Sequence, residues 1–127
     1  MNLRDDVQLS LPWPPTTNHA YANVNSRRVK TKDARLYAAL AASIAKAAYL
    51  TPPLTLQDRL EVQLILHAPD KRRYDIMNRE KILIDSIALV LGFDDQQIDK
   101  FTIFRAEPDP VQPRAILKIK VLNPASE

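Results

Sequence analysis

Apolar and polar residues alternate along residues 7–11 (Val7, Leu9, Leu11), 59–67 (Leu60, Val62, Leu64, Leu66) and 114–122 (Ala115, Leu117, Ile119, Val121). A period of two predicts strands that turn one face to a core. A shorter run at residues 101–105 predicts a further strand, and residues 24–30 read as a turn followed by a brief edge strand. Two stretches change period. Over residues 31–49, Leu36, Leu40, Ile44 and Ala47 recur at helical spacing; Thr31 or Asp33 can cap the start, and Pro52-Pro53 bar continuation. Over residues 78–91, Leu83, Ile84, Ile87 and Leu91 mark a second helix, with Gly92 placed for a left-handed C-cap. The order predicts a single α/β domain of the α+β kind over residues 1–127, a small mixed sheet of about four strands with two helices packed on it. The last two strands, joined by a short Pro-bearing turn, are expected to pair antiparallel, and the second helix is long enough for a crossover.

Composition narrows the chemistry. The 127 residues carry 18 Lys+Arg against 15 Asp+Glu, a net charge of +3 that permits a nucleic-acid partner without demanding one. With no Cys, thiolate catalysis, disulfides and Cys-ligated zinc are excluded, and two histidines are too few for a His-rich metal cage. One Gly against ten Pro leaves no Gly-rich phosphate loop. No run approaches the length of a membrane span, so a soluble, cytoplasmic protein with no membrane partner is expected.

The densest functional chemistry lies at the strand-to-helix junction, Pro69-Asp70-Lys71-Arg72-Arg73-Tyr74-Asp75-Ile76-Met77-Asn78-Arg79-Glu80-Lys81. Carboxylates in a basic field suit a metal site that cleaves phosphodiesters, the acids holding Mg²⁺ and the cations holding phosphates. A phosphate fits between the helix start and Arg72, Arg73 and Lys81. Mg²⁺ needs one or two protein carboxylates beside substrate phosphates, and Asp75 with Asp94 or Asp95 meets that minimum. Asp85, seven residues or roughly 10 Å beyond Asn78, is expected to lie too far along the helix to join. The competing reading is a solvated charged loop with Asp75 as an N-cap. Trp13 reads as a plug at the core edge, and His67 as an ordinary strand residue.

Leu11-Pro12-Trp13-Pro14-Pro15 with Asn18, then the junction from Pro69 to Asn78, then Lys81, Asp85 and Asp94-Asp95 resemble the RusA family of Holliday-junction resolvases, in order and nearly along the whole chain. The resemblance implies a homodimer of small α/β domains that nicks opposed strands of a four-way DNA junction, dependent on Mg²⁺ with Mn²⁺ as an alternative. Two-fold symmetry suits two related active sites. By position, Asp75 and Asp95 resemble catalytic metal-binding carboxylates, and Asp94 exchanges with Asp95 if the match slips by one. Lys81 resembles the essential lysine, and Asn78 the amide after the acidic pair. Lys71, Arg72, Arg73 and Arg79 become candidate DNA contacts, as do Asn18, Arg27 and Arg28. The departure is Met77, where the family places an aspartate; a thioether does not replace a carboxylate on Mg²⁺. Two accounts stay open: a rearranged site that recruits Glu80 or Asp70, or a DNA-binding dimer with weak or no cleavage. A third reading, a generic module whose basic loop touches protein or RNA, leaves the convergence of acids and bases to chance.

Overall fold

A computed structural model describes residues 6–16, 20–25 and 27–122, with Arg28 described by its backbone alone. Among the described residues, strands and helices follow one another as β1 (Val7–Pro12), β2 (Tyr21–Val24), β3 (Arg27–Lys30), α1 (Lys32–Ala48), β4 (Leu60–His67), α2 (Glu80–Leu91), β5 (Ile98–Arg105) and β6 (Arg114–Val121). Short 3₁₀ turns at Ile76–Asn78 and Asp95–Gln97 flank α2. Four strands form a mixed sheet in the order β1-β6-β4-β5. The β1/β6 and β6/β4 pairs are antiparallel, and β4/β5 is parallel.

Alternation works as expected in β4, whose Leu60, Val62, Leu64 and Leu66 are buried. With Val7, Leu9 and Leu11 of β1, Ala115, Leu117 and Ile119 of β6 and the buried faces of both helices, they make one core cluster. Both helices therefore cover the same face of the sheet. Pro12 ends an edge strand, where a missing N–H is tolerated. No described helix is long and apolar enough to cross a membrane.

Three expectations change. The strands β5 and β6 do not pair, because β4 lies between them. Their connection passes over the end of β4, where Ala106 N–H donates to the Leu66 carbonyl at 2.9 Å and Asp109 N–H to that of Ala68 at 2.8 Å. The prolines shape a crossing segment rather than a hairpin. The brief edge strand pairs outside the main sheet, with β2, in a separate two-stranded hairpin. Helix α1 buries Ala34, Tyr37, Ala41 and Ala45, while Leu36 and Leu40 are 61% and 51% exposed. Small alanines allow close packing against α2 and β1, so leucine spacing marked the outer side. Thr31 is the cap, its Oγ1 accepting from Ala34 N–H at 3.2 Å, and Tyr37 Oη donates to the Pro12 carbonyl at 2.8 Å.

Gly92 ends α2 with φ +90°, and a Cβ there would stand 2.5 Å from the Leu54 carbonyl oxygen and 2.9 Å from Pro52 Cβ. The same contact is sealed by Leu54 N–H donating to the Leu91 carbonyl at 3.1 Å. Gly92→Ala should lower unfolding stability by more than the ~1–2 kcal/mol of a left-handed non-glycine residue, read as a reduced urea midpoint.

Candidate active site

The parallel β4–α2–β5 unit sends the chain up one strand, back along α2 and up the next. Lys81 therefore stands in the first turn of α2, while Asp94 and Asp95 follow its last turn. Lys81 Nζ donates to Asp85 Oδ2 at 3.1 Å, one helical turn on. Tyr21 Oη, from the hairpin, donates to the same oxygen at 3.4 Å. Lys81, Asp85 and Asp95 line one cavity of about 300 Å³ with Glu80, Ile84, Ile98 and Phe101. Acid and base from the two ends of α2 thus meet.

A buried amide fixes the second end. Asp94 and Gln97 form a reciprocal capping box, with Asp94 N–H donating to Gln97 Oε1 at 2.7 Å. Gln97 Nε2 donates onward to the carbonyls of Thr55 and Asp58, each at 2.8 Å. Buried Asp58 in turn accepts from Thr55 N–H at 2.9 Å, so the loop before β4 clamps the acid pair.

The charges are unequal. The Asp94 carboxylate bonds to the Gln96 N–H and takes a hydrogen bond from the Asp95 carboxyl, which together hold it below the usual aspartate range. Asp95 is raised, first by that shared hydrogen bond, then by slight burial and by the charges of Asp94 and Asp85, against which Lys81 acts. Lys81 is raised by Asp85 first, with Tyr21 and Asp95 adding to it. The two carboxyls therefore titrate as a pair, in two steps that belong to both.

At the first end, Asp75 is an exposed N-cap whose Oδ1 accepts from Met77 N–H at 2.9 Å. It does not line the cavity that holds Lys81 and Asp95. Met77 is 72% exposed, and Asn78 lies in the same 3₁₀ turn. Asp70 is held by Arg72, whose N–H and Nε donate to it at 2.9 and 3.0 Å. Lys71, Arg72 and Arg73 are exposed around the junction, and Arg27 is exposed on the hairpin. Arg28 is described only as the backbone partner of Asn23, and Asn18 lies outside the described residues. Arg79 packs its guanidinium 4.5 Å from the Trp13 ring centre, so Trp13 does more than plug the core edge. His67 Nδ1 donates to the Glu107 carbonyl at 2.8 Å, as a strand residue would.

Sequence reasoning sets Asp85 aside by distance, treats Tyr21 only as part of a polar contact surface, and assigns Gln97 no role. The distance argument for Asp85 measures it from Asn78 at the helix start, whereas Asp95 joins it in the cavity from beyond the other end of the helix. The S/T/D-x-x-E/Q spacing of Asp94 and Gln97 was the available signal for the clamp.

The sequence profile of the family described as endodeoxyribonuclease RusA matches residues 12–120. The chain belongs to that family. It is 29% identical over 99 residues to the crossover junction endodeoxyribonuclease RusA of Escherichia coli strain K12, covering 76% of this chain and 80% of that one. The protein of the same name from Enterobacteria phage 82 is 28% identical over the same shares. Both relatives are enzymes by name.

In a carbon-detected NMR titration, the Asp95 carboxyl should titrate above the usual aspartate range and Asp94 below it. Asp94→Asn, which keeps the cap but removes a charge, should move Asp95 back down.

Proposed function

We propose that this RusA-family chain is a structure-selective endodeoxyribonuclease that resolves four-way DNA junctions by paired symmetric nicks, acting as a homodimer with Mg²⁺, or Mn²⁺ in its place. The observation that carries it is the cavity shared by Lys81 and Asp95, acid and base delivered from opposite ends of α2.

Among the described residues, no three acidic or histidine side chains stand close enough to hold a metal ion together. The hydrogen-bonded carboxyls of Asp94 and Asp95 nevertheless supply the one or two acids that Mg²⁺ needs when DNA phosphates complete its shell. Asp95 and Asp94 would hold the ion, with Asp75 as the further candidate. When bound, Mg²⁺ supplies Lewis-acid polarisation of the scissile phosphodiester. Asp85 and Tyr21 orient the Lys81 ammonium toward the cavity, where it balances charge that builds on the phosphate and the leaving oxygen. Asn78 adds an amide at the helix start. The exposed cations Lys71, Arg72, Arg73 and Arg27 attract the backbone.

The exposed Met77 favours a second reading, a junction-binding dimer with weak cleavage, because no carboxylate stands where the resemblance places one.

Labelled four-way junctions and linear duplexes, with and without Mg²⁺, separate the two. Paired nicks confined to the junction support the enzyme; a band shift with intact strands supports the binder. Lys81→Ala should slow cleavage by about 10²–10³-fold, the usual cost of one charge stabiliser, with less effect on binding. Asp95→Asn should remove cleavage and leave binding intact or tighter. Turnover of Asp95→Asn at the unmutated rate contradicts the assignment. Since Met77 packs against little, Met77→Asp should raise Mg²⁺-dependent nicking without a change in the unfolding midpoint.

A further inference from the structure

On the other side of the junction, four side chains form a stack that the cleavage chemistry does not use. The Trp13 and Tyr74 rings meet edge to face with centres 5.4 Å apart. The Arg79 guanidinium lies 4.5 Å from the Trp13 ring centre and 5.9 Å from that of Tyr74. Arg105 covers Tyr74 at 4.3 Å and donates to its carbonyl at 3.1 Å.

Arg79 is unusual as a charge. It is partly buried, and desolvation lowers its pKa below the ordinary arginine value. Among the described residues it forms no ion pair, and its guanidinium hydrogen-bonds the Pro14 carbonyl instead. Its Nε and the Tyr74 Oη are buried polar atoms without a hydrogen-bond partner. Desolvating a cation without an acid is costly, and a ligand anion would recover part of that cost. Beside the stack is a cavity of about 270 Å³ whose lining includes Trp13, Tyr74, Arg79, Arg72, Arg73 and Asp70. Asp70 is the one acid there, and Arg72 already occupies it. Arg73 and Arg79 remain for an anion, next to two aromatic rings. Guanidinium and aromatic surface together are what a nucleotide with a freed base requires: a phosphate for the cations and a flat base for the rings. A duplex keeps its bases stacked, whereas the branch point of a junction releases them most cheaply.

We infer that the Trp13–Tyr74–Arg79 cavity takes one unstacked nucleotide of the branch point, so that this wall, separate from the Lys81–Asp95 cavity, senses the branched shape of DNA. This rests on the junction-binding reading above. It goes beyond it in naming the group recognised and the residues that recognise it.

The test removes a base rather than a side chain, so folding is not at issue. Binding of the full chain is measured for four-way junctions with either normal or abasic nucleotides at the branch point, and for linear duplexes carrying the same lesion. Loss of the bases should weaken junction binding about tenfold, the effect of one base–aromatic stack, and leave duplex binding unchanged. Trp13, the chain's sole tryptophan, should lose fluorescence on binding the normal junction and not the abasic one. In Trp13→Leu the abasic penalty should shrink to within about twofold. Junction binding with no abasic penalty, or a full penalty retained in Trp13→Leu, overturns the inference alone. Absence of any preference for junction over duplex overturns it together with the junction-binding reading. Equal quenching of Trp13 by free deoxyadenosine monophosphate, at concentrations where the junction saturates, assigns the cavity to a soluble nucleotide and also overturns it.

Discussion

The parallel pairing of β4 with β5 is the constraint on which the rest depends. Parallel neighbours cannot be joined by a tight turn, so the chain must return along α2 before β5 begins. The return sets Lys81 at one end of the helix and the Asp94–Asp95 turn at the other, and it holds both against one core through Ile82, Leu83, Ile84, Ile87 and Leu91. The helix must stop at a defined residue for the acids to arrive correctly. Gly92 enforces that stop, since only a residue without Cβ fits its left-handed turn against the Leu54 carbonyl. Gln97 then anchors the turn to the loop before β4. The acids are thus held by buried hydrogen bonds though they themselves face water.

That arrangement concentrates like charges. Asp94, Asp95 and Asp85 act on one another, and a single ammonium, Lys81, offsets them. Asp95 is raised first by the hydrogen bond it shares with Asp94, with slight burial and the charges of Asp94 and Asp85 adding to it. Because these groups are open to solvent, the repulsion is screened and costs the fold little. A divalent cation arriving with a phosphate would meet acids whose ionisation it favours.

Much of this was legible in the residues. Strand alternation named the inward faces of β1, β4 and β6, and the resemblance carried by the Trp13 and Asp75 segments gave the family. What failed did so where tertiary context decides. Period-two patterning states which face of β6 is buried, not which neighbours it takes, and β4 lies between β5 and β6. In α1 the large Leu36 and Leu40 carry the helical period, while the close helix packing is made by alanines. Asp85 was judged along its own helix, a one-dimensional measure that cannot see a loop returning to it. Tyr21 reaches Asp85 across 64 positions, which no local pattern encodes.

Two cations near the C-terminal end of the junction, Lys81 and Arg79, are held in opposite ways, and the difference bears on what each can do. Lys81 is fixed by a carboxylate, which sets the position of its nitrogen and cancels part of its field. Arg79 is fixed by aromatic faces and a carbonyl, which set its plane and leave its charge whole. A group that must stand at one atom of a reacting phosphate gains from the first kind of support. A group that must draw a polyanion and lie flat against a base gains from the second. An acid beside Arg79 would make the stack more stable in the free protein and weaken its attraction for phosphate. Among the described residues the desolvated Arg79 guanidinium has no ion pair, so an anion bound beside it would offset a cost that the packing of the free chain leaves standing.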